Sequence, residues 1–333
     1  MKVDGDPLGY TSLVKSFRQD FYPLVCQIPE GRVSTYGALA RALGSERAAR
    51  AVGKMLNENP RPVEVPCHRV VMSDGSLGGY GGGIEEKKRL LEEEGIRIKN
   101  GRVKEFEHVV FESFVSDKPL KRLREEQKRV KEKVAVQESG IGFSSVAGVD
   151  VSYSNNKAYP ALSLWDHENK EEIGVFTTEI DVEFPYIPTF LAFRELPCLL
   201  EILEKVEDQP DVVMVDGNGV MHPDGIGLAS HLGVETGMAT VGVAKSKLCG
   251  DLVDEIDREK GKMLSEVRDN GKLIGHALLE GKRAKNPIYV SPGHGVSHDQ
   301  AVQLVKSYCR YKVPDPIRRA HIEATKRRKK DER

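Results

Sequence analysis

Cys67 stands between a proline and a histidine, in the run Pro66-Cys67-His68-Arg69-Val70. The thiolate is the nucleophilic form of cysteine, and a neighbouring imidazole is the simplest base to make one. Glu94 lies downstream as a carboxylate that could orient that base. A second set of residues suits a different chemistry. Asp150 follows Ala147-Gly148-Val149, and Asp216 follows Val212-Val213-Met214-Val215, so each acid ends an apolar run. Glu195 opens a helical pattern after Phe193-Arg194. Acids on three separate elements suit Mg²⁺, which prefers carboxylate oxygens and water. Such a metal activates water and stabilises the leaving oxygen of a phosphodiester. Taken alone, a cysteine is usually a buried small hydrophobe, and acids are usually solvated. The neighbouring motifs have to supply the weight.

Those residues need elements to hold them. Ser34 and Thr35 are good N-caps for a short helix over 38–43, and Gly44 stops it. Ser45 is placed to cap a second helix over 46–56. Helix, Gly-containing turn, helix is the helix-turn-helix pattern. The second helix carries Arg47, Arg50 and Lys54 among small Ala48, Ala49, Ala51 and Gly53, which would let it approach a DNA groove. Asn100-Gly101 reads as a turn. Leu120, Leu123, Gln127, Val130 and Val134 predict an amphipathic helix within 118–136. Strand-like runs follow at 145–151, 159–165 and 172–180, then a helix over 195–206 and a strand over 212–215. Strands mixed with helices predict an α/β layer fold.

A chain of 333 residues has room for two cores. It is 39% apolar and 30% charged, as ordinary globular proteins are. No apolar run reaches membrane-spanning length, and the N-terminus lacks the apolar core of a signal peptide. Five scattered cysteines without a CxxC argue against a disulfide framework or a zinc site, and for a reducing cytoplasm. The net charge of −1 hides local differences. Residues 1–100 carry 15 basic and 13 acidic groups, while 318–333 carry 8 and 3. Local Lys and Arg suffice for phosphate contacts, so DNA remains an admissible partner. The run Lys326-Arg327-Arg328-Lys329-Lys330 reads as a solvated, frayed end.

With Tyr36, Arg50-Ala51-Val52-Gly53, Asn59-Pro60, the Pro66–Val70 run, Leu77-Gly78-Gly79-Tyr80-Gly81-Gly82-Gly83 and the Glu92–Gly95 stretch, residues 17–98 resemble the DNA-binding half of O6-alkylguanine-DNA alkyltransferases. The resemblance implies a mainly helical winged helix-turn-helix domain. It implies that Cys67 takes the alkyl group, His68 serves as its base through a water, and Glu94 holds the imidazole. Tyr36 and Arg50 would rotate the damaged nucleotide out of the duplex, Asn59 would brace the active-site turn, and Tyr80 would bind guanine. No cofactor is implied for this transfer. Gly81 departs from the Ser common in the family.

The second half resembles endonuclease V from about residue 119 to 324. The likeness rests on Pro185-Tyr186-Ile187-Pro188, Leu191-Ala192-Phe193-Arg194-Glu195, Val215-Asp216-Gly217-Asn218-Gly219, His222-Pro223, Gly242-Val243-Ala244-Lys245-Ser246, Ser291-Pro292-Gly293-His294 and Val313-Pro314-Asp315-Pro316 with 318–321. It implies a ribonuclease H-like α/β fold and Mg²⁺-dependent nicking (Mn²⁺ as substitute) on the 3′ side of deaminated bases, chiefly deoxyinosine. Asp150, Glu195 and Asp216 would ligate the metal. His294 would position metal-bound water or the scissile phosphate, and Lys245 would offset phosphate charge. Tyr186 would wedge into the base stack, while Leu191, Gly217 and His222 line or border the base pocket. Thr189 replaces a common Gly, Asp224 a common basic residue, and Gly295 a common Arg or Lys.

The expectation is therefore a bifunctional DNA repair protein. Its parts are an alkyltransferase domain (1–100), a linker (101–117), a nuclease domain (118–324) and a basic tail (325–333). The expected partner is double-stranded DNA with alkylated or deaminated bases, met by a cytoplasmic monomer without membrane contact. Two alternatives stay open: a damage-binding module whose cysteine is idle, and a nuclease for inosine-containing RNA.

Overall fold

The computed structural model describes residues 10–137, 142–281 and 284–332, with side chains from Phe17 onward. The first nine residues, expected to lack a leader, and Arg333 of the tail lie outside the described residues. The chain forms two compact units. One comprises Thr11–Glu125 with Glu183–Phe190; the other comprises Glu126–Val182 and Leu191–Arg333.

In the first unit, α1 (Tyr10–Cys26) buries Phe17, Phe21, Leu24 and Val25. After β1 (Ser34–Thr35), Thr35 Oγ1 accepts the Ala38 N–H at 3.0 Å and starts α2 (Tyr36–Leu43). Gly44 ends α2 at φ 101°, a left-handed cap that suits glycine. Ser45 does not cap through its side chain as expected. Its carbonyl instead accepts the Ala48 N–H in a 3₁₀ turn, Glu46–Ala48, that leads into α3 (Ala49–Asn57). β2 (Val70–Val71) pairs parallel with β1, and α4 (Ile84–Glu93) follows. β3 (Ile98–Lys99) and β4 (Arg102–Val103) form a hairpin around Asn100 and Gly101, both at positive φ. Then come α5 (Phe106–Val109) and the start of α6 (Pro119–Glu132).

Part of the stretch expected to be a linker packs within the first unit. Val103 is buried in a cluster with Val33 and Leu91, Phe106 and Val109 pack against it, and Val109 O accepts the Val33 N–H at 2.9 Å. These apolar side chains have a core to reach, so the connector folds into the first unit.

The second unit is a mixed sheet. β5 (Ser145–Ser154) and β6 (Lys157–Asp166) form a long antiparallel pair, extended by β7 (Glu172–Thr177) and β8 (Ile180–Asp181). α7 (Leu191–Leu203) leads to β9 (Val212–Asp216), and α8 (Leu228–Thr236) to β10 (Ala239–Ala244). β11 (Asp251–Leu252), β12 (Leu264–Asp269), β13 (Lys272–Leu278) and β14 (Ile288–His294) complete the order β11-β12-β13-β14-β10-β9-β5-β6-β7. β10, β9 and β5 run parallel at its centre. α9 (His298–Ser307) packs Val302 and Val305 onto Val146, Met214, Val241 and Val290.

α10 (Asp315–Asp331) crosses β5 so closely that a Cβ on Gly148 would lie 2.1 Å from the Pro316 carbonyl carbon. The basic run expected to fray is the end of this helix. Arg327 pairs with Glu179 at 3.1 Å, and Tyr159 OH donates to Asp331 at 2.5 Å. Cross-strand anchors, absent from a linear reading of charge, hold it down.

Candidate active sites

Cys67 opens a 3₁₀ turn, Cys67–Arg69, and is 7% exposed. Asn59 Nδ2 reaches Cys67 Sγ at 3.2 Å and Val65 O at 3.1 Å, so one amide holds both the thiol and the strand that presents it. His68 is buried, and its Nε2 lies 2.8 Å from Glu94 Oε1. Its Nδ1 is buried without a hydrogen-bond partner among the described residues. The bond to Glu94 thus fixes the ring and leaves Nδ1 to exchange a proton. Burial lowers the His68 pKa against the pull of Glu94, which favours the neutral, basic imidazole.

Arg69 grips the same carboxylate: Nε is 2.9 Å from Oε2 and Nη2 2.8 Å from Oε1. Burial would raise the Glu94 pKa, but the bonds from Arg69 and His68 outweigh it and hold the carboxyl below its usual range. The sequence reading gave Arg69 no role, although it sits inside the most distinctive motif. It also missed Lys87. That side chain is fully buried, with Nζ 2.5 Å from Val70 O and 3.1 Å from Gly79 O, and burial brings its pKa down to about 8. It ties the strand after Cys67 to the glycine loop before Tyr80.

A cavity of about 150 Å³ opens beside Cys67, lined by Tyr36, Gly53, Leu56, Asn57, Gly79, Tyr80 and Gly81. The Tyr80 ring stands edge-on to His68 at 6.4 Å, and Tyr36 OH donates to Gly79 O at 3.4 Å. Arg50 is exposed on α3 and is not part of this lining.

In the second unit, strand register does the positioning. β5 and β9 run parallel with Val149 opposite Val215, so Asp150 and Asp216, one residue on, come level on neighbouring strands. Asp216 is also paired with Val243 of β10, and Lys245 just beyond that strand bonds Asp216 Oδ2. Glu195 is presented by α7 and is half-buried. Burial, then the Asp150 charge, raises its pKa to about 8. Burial and the Asp216 charge raise Asp150 to about 6. Mutual repulsion of this kind requires the three acids to be close.

Among the described residues no three His, Cys, Asp or Glu side chains converge as a ready metal cage. The donor set still fits a divalent cation in charge and chemistry. Half-buried, mutually repelling carboxylates are what such an ion would relieve. Asp150 is meanwhile held by His321 of α10, Nδ1 to Oδ2 at 2.7 Å. His321 received no role from the sequence, because only the fold of α10 over β5 brings it there.

His294 needs correction. It pairs with Thr240 near the start of β10, whereas Lys245 follows the end of that strand. Asp216 pairs with Val243, three residues further along β10, so at about 3.3 Å per residue His294 is offset from it by roughly 10 Å along the strand. Its Nδ1 instead accepts the Ala135 N–H at 3.3 Å. Gly295 has φ 66°, so the position expected to carry Arg or Lys serves a left-handed turn.

His222 is buried, and its Nδ1 accepts the Asp224 N–H at 3.2 Å, so Asp224 orients that ring rather than merely subtracting charge. Gly217 donates its N–H to Val243 O at 3.1 Å, and a Cβ there would meet Leu228 at 3.5 Å. Leu191 is half-buried at the start of α7. Tyr186 is 59% exposed, and it lies in the segment that belongs to the first unit.

Comparison with known proteins divides the chain in the same way. The model of the endonuclease V family matches residues 124–322, and that of the 6-O-methylguanine DNA methyltransferase DNA-binding domain matches 16–96. A bifunctional methyltransferase/endonuclease of Picrophilus torridus is 36% identical over 300 residues, covering 90% of this chain and 93% of the relative. The crystal structure of the human endonuclease V catalytic domain is similar at 32% identity and TM-score 0.59, over 65% of this chain and 98% of that one. Ciona intestinalis endonuclease V, crystallised with DNA containing an inosine followed by a ribo-adenosine, is similar at 27% identity and TM-score 0.59, over 64% and 99%.

Proposed function

The chain belongs to the endonuclease V family, joined to a methyltransferase DNA-binding domain, and from that premise we propose that it repairs two kinds of base damage at two separate sites. The observation that carries the first activity is the thiol of Cys67 facing a cavity, with Asn59 on its sulfur and His68 fixed by Glu94 and Arg69. His68 Nδ1 takes the thiol proton through water. The thiolate attacks the alkyl carbon on guanine O6. A carbon–sulfur bond forms, the carbon–oxygen bond breaks with its electron pair going to the purine, and the proton taken from the thiol is returned to the base. The thioether is stable, so each molecule reacts once. The O6 substituent lies inside the duplex, so the nucleotide must be flipped out, with Tyr36 and Arg50 as its movers and Tyr80 bordering the receiving cavity.

For the second activity, Asp150, Glu195 and Asp216 would hold Mg²⁺ or Mn²⁺. The metal when bound supplies a more acidic water and charge for the leaving oxygen. His321 orients Asp150, and Lys245 orients Asp216 and offers its charge to the scissile phosphate. The preferred lesion by this reading is deoxyinosine in double-stranded DNA, cut on the 3′ side. A monomer in a reducing cytoplasm would keep the acceptor thiol unoxidised.

Intact-mass measurement after incubation with an O6-methylguanine duplex tests the first site. One added methyl, absent in Cys67→Ala, is the expected result. No mass gain on the wild-type chain would leave a damage-binding module.

A further inference from the structure

The segment Glu183–Phe190 lies within the residues matched by the endonuclease V family, yet it is built into the compact unit of residues 11–125. It leads without a break into α7, which carries Glu195. Its side chains divide sharply. Phe184, Pro185, Ile187, Thr189 and Phe190 are buried, while Tyr186 is exposed. The buried ones are held by three residues of the first unit. The Phe184 ring packs on Phe17 at 4.9 Å. Arg18 Nε donates to Glu183 O at 3.0 Å. Arg124 donates to Thr189 Oγ1 at 2.8 Å and places its guanidinium 4.2 Å from the Phe190 ring centre.

Thr189 adds an independent sign of constraint. Its φ is 71°, a left-handed conformation that a β-branched residue resists. Such strain persists only where the surroundings over-determine it. The same clamp also reaches α3, the DNA-reading helix of the helix-turn-helix pattern. Arg18 Nη2 binds Glu58 at 2.8 Å at the end of that helix, and Tyr22 OH donates to Met55 O at 3.3 Å.

We infer that Phe17, Arg18 and Arg124, which hold the segment Glu183–Phe190 within its own compact unit, are positioning residues for Tyr186 in nicking. The inference rests on the nuclease reading above. A ring that enters a base stack must arrive in one pose, and small displacements of a positioning group cost rate steeply.

The test uses the full chain, a duplex with one deoxyinosine, Mg²⁺ and single-turnover conditions. Phe17→Ala and Arg124→Gln are made alone and together with Tyr186→Ala. Each single variant is expected to nick at least roughly tenfold more slowly with DNA affinity unchanged. Neither is expected to lose more in the Tyr186→Ala background, because both act through that ring. Phe17→Leu should recover most of the rate, and methyl uptake by Phe17→Ala reports that its unit is folded. Arg124→Gln and Phe17→Leu keep the test readable if Phe17→Ala does not fold. Wild-type nicking with unaltered rates in the variants would overturn the proposal, as would losses that multiply fully with Tyr186→Ala. A wild-type chain that cuts no deoxyinosine duplex would instead remove the nuclease reading, and this proposal with it.

Discussion

Glu195 and Asp150 are acids kept protonated above the usual carboxylate range, Glu195 up to about 8 and Asp150 up to about 6. Without metal, the folded unit therefore binds more protons than the unfolded chain from about pH 4.5 to 8 at Glu195. Where the folded state binds the excess, stability falls as pH rises. In chelator, the thermal midpoint of the nuclease unit should fall across that window, and it should fall less in Glu195→Gln. Added Mg²⁺ should restore it at the alkaline end. Scanning calorimetry at several pH values checks this; equal slopes in the two proteins would refute the raised Glu195 pKa. At the other site, Glu94→Gln removes the group that orients His68. Methyl transfer should slow by roughly 10²-fold, as for loss of general-base assistance, with Cys67 still titratable. Legibility at this scale followed local motif. Cys67, His68 and Asn59 announce themselves by their neighbours. Lys87 does not, because Glu85-Glu86-Lys87-Lys88-Arg89 looks like a solvated helix face until α4 turns one lysine inward.

Elements carry the second kind of information. The pairing of Asp150 with Asp216 follows from the parallel register of β5 and β9; the apolar run before each acid was readable, and the register was not. Nor was the place of His321, since it depends on α10 lying on β5 across 171 residues of sequence. Gly148 is the hinge of that contact. Gly148→Ala would drive a methyl into the Pro316 backbone, so α10 must shift. A destabilisation of about 1–3 kcal/mol is expected, with loss of nicking beyond what stability explains. Denaturant unfolding beside nicking rates measures both, and an Ala variant that matches wild type in each would show that α10 can move freely. His294 shows the opposite failure. Its motif was legible, but the antiparallel course of β14 carries it to the far end of β10.

At the scale of the molecule, two sites with unrelated chemistry share one chain. The division into two matched families was legible. The connector joined the first core through Val103, Phe106 and Val109, and the basic run became helix. The two sites are chemically independent. Methyl transfer needs no metal and nicking needs no thiol. The most direct measurement follows one duplex carrying a single deoxyinosine, cut by wild type, Cys67→Ala and Asp150→Ala, with Mg²⁺ and with chelator. A Mg²⁺-dependent cut on the 3′ side is expected from wild type and Cys67→Ala, and none from Asp150→Ala or in chelator. A cut that survives Asp150→Ala, or none by the wild-type chain, would contradict that expectation.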